Sequence, residues 1–497
     1  MASKINRLYL MCFVSIVLLA IVLRVYKAYY TGVIYDEALT YFKFALDINS
    51  AVSNYSTTNN HLLNSVLIYL SVEAFGRFDT LLGVPAIRIP AVFFGIVYVI
   101  SVALTIWHTL RNKTVKIIIM GLCLFNYYVF DLSILARGYA IALGAVYLEL
   151  LLIILYPTLL KDKDKTMALV FSALNFTALG AMLTSLYTVV PLNLALLGVV
   201  YSTSARDAVA GKSRSAFMKA FEMGSAIVCV SCVTLGLLYK DVIMAVISIS
   251  GKNKPINDTP LTILKSLITE GLFKWESHLS YLQDISPYII LPLTLILTGL
   301  FIVNVATKKA LSVEASIVLL ILAASFLLAY TAHKAAALSL GFARNHVFWL
   351  PMMFITAGII MDGALGVFDY WRVNSSIFPK AVKYVLSLFV ILSSIVLMAG
   401  TFASPRVVTT YDWRPQSVVG PLLRQLNKTD PSRRWRLGFS GRMEFNRYPY
   451  LYYNNEVYVI EDSNVKVYHI SEKERSPGKL YEYEFFKKFD CVVVLAQ

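Results

Sequence analysis

The 497-residue chain is 58% hydrophobic and only 15% charged, with a mean hydropathy of +0.65, where soluble domains carry about a quarter charged residues. A soluble protein of this length could not hide so much apolar surface, so the composition points to a multi-pass α-helical membrane protein. The net charge of +15 does not indicate a nucleic-acid binder, because the basic residues form short clusters between apolar runs and not one patch.

At the amino terminus Lys4 and Arg7 precede an apolar stretch from Leu8 to Leu23. No small-x-small cleavage motif follows, since Arg24, Val25, Tyr26 and Lys27 come next, and the pattern predicts an uncleaved first span with a cytoplasmic N-terminus. Runs covering 8–30, 84–110, 114–130, 138–160, 167–184, 186–203, 217–239, 286–307, 311–332, 345–362 and 382–403 approach the roughly 20 residues a crossing helix needs, which predicts about eleven transmembrane helices. The tightest turn is Thr184–Tyr187, between 167–184 and 186–203. Alternate loops carry Arg111, Lys113 and Lys116; Lys161, Lys163 and Lys165; Arg206, Lys212 and Arg214; Lys308 and Lys309; Arg372 and Lys380. With Lys4 and Arg7 these mark one side, the cytoplasm, and an odd number of spans puts the C-terminus outside.

The opposite loops hold the unusual polar residues. The first runs over about 31–83, and within it His61–Phe75 has the apolar spacing of a helix lying along the membrane interface. A second long outer loop, 240–287, holds Trp275, Glu276 and His278. Loops of this length are usually functional. From Ser404 the chain becomes polar, with Arg433, Arg434 and Arg436, strand-like alternation in Glu456–Ile460 and Val465–Ile470, and an apolar β-type run at Cys491–Leu495. This predicts a membrane domain over 1–403 and a small α/β domain over 404–497. Cys12, Cys123, Cys229 and Cys232 fall in apolar runs and read as small core residues, the C-x-x-C spacing of the last two notwithstanding. Cys491 stands alone in the C-terminal region.

Asp36-Glu37 follows the first span on the expected outer side. Two readings fit: a solvated helix cap, or a pair in which one carboxylate is a general base for a hydroxyl acceptor, a weak nucleophile until its proton is being removed. Asn59-Asn60-His61 opens the interfacial helix, where a neutral His can cap, bind a metal or hydrogen-bond a substrate. Arg88, Arg137 and Arg344 each sit at the expected outer end of a span, against the positive-inside bias. Arg beside an apolar span either snorkels to headgroups or faces a polar cavity or partner charge. Its planar fork suits a phosphate. Asp131, shortly before Arg137, is a second acid or that arginine's structural partner. His333, Lys334, His346, Glu276 and His278 are further polar groups on the same side, and no pair has the spacing of a metal site.

Taken in order, these residues resemble a family. An acidic pair (Asp36, Glu37) follows the first span, His61 opens an interfacial helix, and Arg88-Ile89-Pro90 opens the next span. Ala136-Arg137-Gly138-Tyr139 comes after the third, and Arg344 precedes a late one. The pattern resembles the GT-C glycosyltransferases related to dolichyl-phosphate-mannose protein mannosyltransferases and bacterial aminoarabinose transferases. Ile34–Glu149 carries most of the likeness, Gly341–Pro351 a shorter part, and Tyr411-Asp412-Trp413-Arg414 resembles the start of the outer domain of bacterial members.

The resemblance implies a GT-C fold, an outward-facing cavity, a polyprenyl-phosphate sugar donor and an inverting displacement. Asp36 would be the base, with Glu37 beside it. Arg137 or Arg344 would be a donor-phosphate ligand, and His61 would lie near the donor. Arg88, Asp131, Tyr139, His333, Lys334 and His346 join the candidate substrate-binding set. Two departures, Leu135 where relatives often carry Glu and Leu62-Leu63 where Pro-Pro is frequent, favour a metal-independent reaction over one using a divalent metal. The implied setting is a bacterial inner membrane with the C-terminal domain in the periplasm. The partners would be undecaprenyl-phosphate-linked sugar, membrane lipids and a periplasmic glycolipid, lipopolysaccharide, glycan or protein acceptor. Alternative functions are a lipid-linked glycan polymerase or ligase, and a transporter or flippase. A transporter would show internal repeats and broken helices at the midplane.

Overall fold

The computed structural model describes residues 2–30, 33–53, 61–76, 80–81, 84–160, 163–209, 218, 220–234, 236, 312–336, 346–371, 435–440, 456–461, 464–469 and 492–496. The described residues belong to two compact units. The first comprises Met1–Arg24, Ala91–Ile134 and Gly138–Ser404; the second comprises Val25–Pro90, Leu135–Arg137 and Pro405–Gln497.

The helices, in chain order, begin with α1 (Ala2–Tyr30), α2 (Tyr35–Phe44), α3 (Ile48–Ser53) and α4 (Leu62–Phe75). A short hairpin, β1 (Thr80–Leu81) with β2 (Val84–Pro85), and a 3₁₀ turn at Ala86–Arg88 lead into α5 (Ile89–Thr109). Then come α6 (Lys113–Phe125), α7 (Tyr127–Leu132), α8 (Gly138–Leu155), α9 (Asp164–Ala181) and α10 (Leu186–Val209). After these follow α11 (Ala220–Thr234), α12 (Val313–Ala336) and α13 (Trp349–Trp371). Expected spans 286–307 and 382–403 and the loop 240–287 lie outside the described residues, while the other expected spans overlap described helices.

Among the described residues five helical stretches are long and apolar enough to cross a membrane: Tyr9–Tyr29, Ala86–Thr109, Gly138–Leu160, Leu183–Ala205 and Val313–Ala332. Their outward faces are apolar as well. On α1, Leu10, Met11, Val14, Leu18, Val22, Tyr26 and Tyr29 are exposed at helical spacing. Leu194 and Tyr201 on α10, and Val313, Leu320 and Leu327 on α12, repeat the pattern. A solvent that tolerates such stripes is lipid. The chain is a multi-pass membrane protein. Cys12 on α1 and Cys229 and Cys232 on α11, expected in a core, are exposed, whereas Cys123 is buried.

The expected span 114–130 is two helices. α6 has 13 residues, about 20 Å at the helical rise, short of the roughly 30 Å hydrocarbon core. It stops at Asn126, whose extended backbone and side-chain oxygen, accepting from Tyr128 N and Val129 N, start α7 afresh. The preceding turn is capped likewise: Asn112 accepts from Thr114 N and Val115 N at the start of α6.

In the first unit, the start of α1, the end of α5, the start of α6 and Asp362 of α13 come together. The ring of Tyr9 stacks on Trp107 at 5.5 Å, with the Lys113 ammonium 5.6 Å from the Tyr9 ring. Asp362 on α13 accepts from the Arg111 and Asn112 amides at 2.7 and 3.0 Å. Elsewhere in the unit, Trp349 Nε1 donates to Thr188 Oγ1 at 3.1 Å and the Tyr147 hydroxyl to the Phe348 carbonyl at 2.9 Å.

In the second unit a small core of Val33, Ala38, Tyr41, Ala45, Ile68, Ile87 and Ala136 joins α2 and α4 to the turn before α5. Four strands of the C-terminal stretch, β3 (Trp435–Ser440), β4 (Glu456–Glu461), β5 (Asn464–His469) and β6 (Val492–Ala496), form one sheet in the order β5-β4-β3-β6. β3 runs parallel to β4, and the other pairs are antiparallel. The strand-like runs of the sequence correspond to β4, β5 and β6; β3, behind an arginine cluster, was not expected.

Candidate active site

The site is built at the start of α2, where helix chemistry already favours acids. Unpaired amides and the positive end of the dipole gather there, and Asp36 and Glu37 occupy the first turn. Glu37 reaches back so that Oε2 accepts from Ile34 N at 3.0 Å. Its other partners come from far along the chain. Arg88 donates from Nε to Oε1 at 2.7 Å and from Nη2 to Oε2 at 2.5 Å, and Ala136 N donates to Oε1 at 2.7 Å. An ionised carboxylate accepts about four hydrogen bonds, so Glu37 is saturated.

Arg88 also donates from Nη1 to the Ala28 carbonyl at 3.0 Å. Neither side chain of the Glu37–Arg88 pair has any exposure. Removing two charges from water is compensated only by geometry of this completeness. The structure therefore pairs Glu37 and Arg88, expected as a catalytic acid and a substrate ligand, with each other.

Asp36, the other acid, points elsewhere. Its Oδ2 lies 3.1 Å from Arg137 Nη1, and its side chain keeps 9% exposure where Glu37 keeps none. The Thr40 hydroxyl donates to the Asp36 carbonyl at 2.7 Å, binding the first turn of α2 to the second. Arg137 ends a three-residue turn in which its own N–H donates to the Leu135 carbonyl at 2.6 Å. The Ala136 amide inside that turn donates to Glu37, and the Ala136 carbonyl accepts from Asn64 Nδ2 at 3.1 Å. One carboxylate thus fixes the backbone while its sequence neighbour meets the guanidinium that this backbone carries.

His61 occupies the cap position of α4, with no side-chain capping bond to the helix. It lies one turn before Asn64 and so on the same face of α4. In the first unit, Asp131 is buried at the end of α7, Tyr139 is buried in the first turn of α8, and His346 is buried in an aromatic cluster. The His346 ring lies 4.4 Å from that of Trp349 and 5.9 Å from that of Tyr187. His333 and Lys334 fall on α12, their side chains outside the described residues, as are Arg344, Glu276 and His278 altogether. Among the described residues no group of three or more His, Cys, Asp or Glu side chains is arranged to hold a metal ion.

Two residues escaped the sequence reading. Asn64 is one; a polar residue one turn beyond His61, beside Ser65 in a largely apolar helix, was the available signal. Arg24 is the other. Fully buried in α1, it donates from Nε to Ser133 Oγ at 2.9 Å, from Nη2 to the Leu124 carbonyl at 3.0 Å and from Nη1 to the Ala20 carbonyl at 3.1 Å. Its guanidinium also lies 4.5 Å from the Phe130 ring centroid.

No protein-family model matches the chain, and no curated protein matches it. Among solved structures the chain is similar to the oligosaccharyltransferase of Archaeoglobus fulgidus in its apo form, at 12% identity and a TM-score of 0.42, over 85% of this chain and 58% of that one. The same enzyme in complex with Zn and sulfate gives 12% identity and 0.41, over 84% and 56%. The archaeal oligosaccharyltransferase AglB from that organism, in complex with an inhibitory peptide and a dolichol-phosphate, gives 12% and 0.36, over 95% and 62%. The chain spans less than two thirds of the length of each of these structures. At TM-scores below 0.5, a functional reading rests on this chain's own residues.

Proposed function

We propose that the chain is a membrane glycosyltransferase that moves a sugar from a polyprenyl-phosphate donor to an acceptor hydroxyl, with Asp36 and Arg137 at the reacting centre. The observation that carries the reading is their pairing, a carboxylate and a guanidinium 3.1 Å apart in nearly dry surroundings, with exposure remaining on the carboxylate. The adjacent Glu37–Arg88 pair is saturated and holds the backbone.

In this reading Asp36 takes the proton of the acceptor hydroxyl as its oxygen attacks the anomeric carbon. The bond from that carbon to the phosphate oxygen breaks, and its electron pair leaves with the polyprenyl phosphate. Arg137 offers its fork to the phosphate as charge develops there. Attack opposite the phosphate inverts the anomeric centre. An entering phosphate competes with Asp36 for the same guanidinium, so donor arrival leaves the carboxylate available to the acceptor.

The finer attributes belong to the same proposal. They are an undecaprenyl-phosphate hexose or pentose donor, a periplasmic glycolipid, lipopolysaccharide, glycan or protein acceptor, and a bacterial inner membrane. In it 1–403 would be the catalytic domain and 404–497 a periplasmic one. Their support is the basic-loop pattern and the motif order of the sequence. His61 and Arg344 enter as further donor contacts on the resemblance alone, and His346 as a candidate substrate contact.

The test is native mass spectrometry of the purified full chain. A polyprenyl phosphate should accompany the wild type, or bind when undecaprenyl phosphate is added, and should be depleted in Arg137→Ala. A wild-type chain that neither carries nor takes up such a lipid overturns the reading.

A further inference from the structure

We propose that Asn64 is a positioning residue of the donor site, holding through the Ala136 carbonyl the turn that sets Arg137 against Asp36. This rests on the reading of Arg137 as the phosphate ligand. In a turn closed between a carbonyl and the amide two residues on, the central residue's own N–H and C=O point outward and require other partners. The turn Leu135–Arg137 is closed this way at 2.6 Å, and its central residue is Ala136. Glu37 takes the Ala136 N–H at 2.7 Å, and Asn64 Nδ2 supplies the Ala136 C=O at 3.1 Å.

The two bonds fall on the two peptide planes flanking Ala136. Glu37 therefore fixes the plane leading into the turn, and Asn64 fixes the plane that bears Arg137. At the centre of the turn Ala136 contributes only a methyl group to the core around it, while its neighbour Leu135 is itself buried. Polar bonds to the Ala136 backbone fix the two peptide planes on either side of that small residue.

Asn64 is fully buried, and among the described residues its Oδ1 has no hydrogen-bond partner. A buried amide with one orphaned end is unfavourable to the fold, and an apolar residue of similar volume would leave no such polar atom unpaired. The Nδ2 bond to Ala136 is what the amide does there. The side chain that depends on that bond is Arg137, whose Nη1 meets the carboxylate proposed as the base.

The experiment measures binding of undecaprenyl phosphate to the detergent-purified full chain for wild type, Asn64→Leu, Arg137→Ala and the double variant, with thermal unfolding alongside. Asn64→Leu should weaken binding by about tenfold, the factor for one lost orienting hydrogen bond. Added to Arg137→Ala, it should weaken binding no further, because coupled residues are not additive. A merely structural Asn64 would lower the unfolding temperature and weaken binding equally in both backgrounds, and that result overturns the proposal. Asn64→Ala takes the place of Asn64→Leu if the latter fails to fold. If Arg137→Ala weakens binding and neither Asn64 variant does, this inference alone fails. If Arg137→Ala binds like wild type, the donor-site reading fails and this inference falls with it.

Discussion

Glu37 and Arg88 meet in a two-bonded fork, Nε to Oε1 at 2.7 Å and Nη2 to Oε2 at 2.5 Å, across 51 positions of sequence. Because both are fully buried, removing one partner strands the other's charge, which costs about 3–5 kcal/mol. Arg88→Ala and Glu37→Gln should each lower the unfolding temperature of the purified chain markedly. Replacing both by apolar residues should not restore it, because the amides of Ile34 and Ala136 lose their acceptor as well. A wild-type unfolding temperature in Arg88→Ala would show that the fork does not hold this unit together.

Gly95 on α5 marks a close backbone approach. A Cβ added there would stand 2.5 Å from the Ser133 carbonyl oxygen, a backbone atom that cannot turn aside. Gly95→Ala should therefore destabilise the chain by about 1–3 kcal/mol, as overpacking does. Gly198 on α10 is the control, since a Cβ there meets nothing within 4 Å. Gly198→Ala should be neutral or stabilise by about 0.5–1 kcal/mol through backbone entropy. Equal unfolding temperatures for the two variants would contradict the close packing of Gly95.

These contacts show which parts of the molecule were legible beforehand. Length and hydropathy reveal a helix that must cross lipid, so 138–160 and 311–332 in the sequence correspond to apolar helices in the structure. The break at Asn126 was not legible, because one Asn inside an apolar run lowers hydropathy little and its cap shows only in backbone geometry. Asp36-Glu37 stood out as an acidic pair, yet the sequence could not divide their roles. Which of two adjacent carboxylates meets which distant arginine depends on the helix turn that sends neighbouring side chains in different directions. Arg24 lies inside the first apolar run, 8–30, where an arginine is itself a signal of a buried partner. Which partner it meets depends on the packing of α6 and Ser133 against α1. Asn64 carries no motif, and its role appears only once α4 is seen beside Ala136.

Arg24 acts where α6 ends. Its Nη2 satisfies the Leu124 carbonyl in the last turn, a position where helix carbonyls lack intrahelical partners, and Nε holds Ser133. Arg24→Met keeps much of the stem and removes these donors. It should cost about 1–3 kcal/mol for the acceptors left unsatisfied, read as a lower unfolding temperature. Arg24→Lys should recover only part of this, since an ammonium cannot reach Ser133 and Leu124 in the fixed geometry of the fork. Full stability of Arg24→Met would mean that these acceptors find other donors.

The Asp36–Arg137 pair yields the sharpest prediction, because its two members should respond in opposite directions. If the donor phosphate and the Asp36 carboxylate compete for the Arg137 guanidinium, removing the carboxylate's charge removes the competitor. Asp36→Asn should then bind undecaprenyl phosphate at least as tightly as wild type, while its turnover falls about 10²–10⁴-fold for want of a general base. Arg137→Ala should lose donor affinity, by roughly 2–5 kcal/mol for a truncated buried charge pair, with Arg137→Lys intermediate. Both variants should remain folded, since the saturated Glu37–Arg88 fork is untouched and Asp36 keeps an exposed edge. The measurements are lipid binding and single-turnover rate with a polyprenyl-phosphate sugar, beside thermal unfolding. If Asp36→Asn binds the lipid phosphate more weakly than wild type, the carboxylate is not a competitor but part of the binding surface. If Asp36→Asn turns over at the wild-type rate, Asp36 is not the base. Glu37→Gln separates the two acids, since its loss should follow the loss of fold and return at low temperature, whereas the loss in Asp36→Asn should persist at every temperature at which the chain is folded.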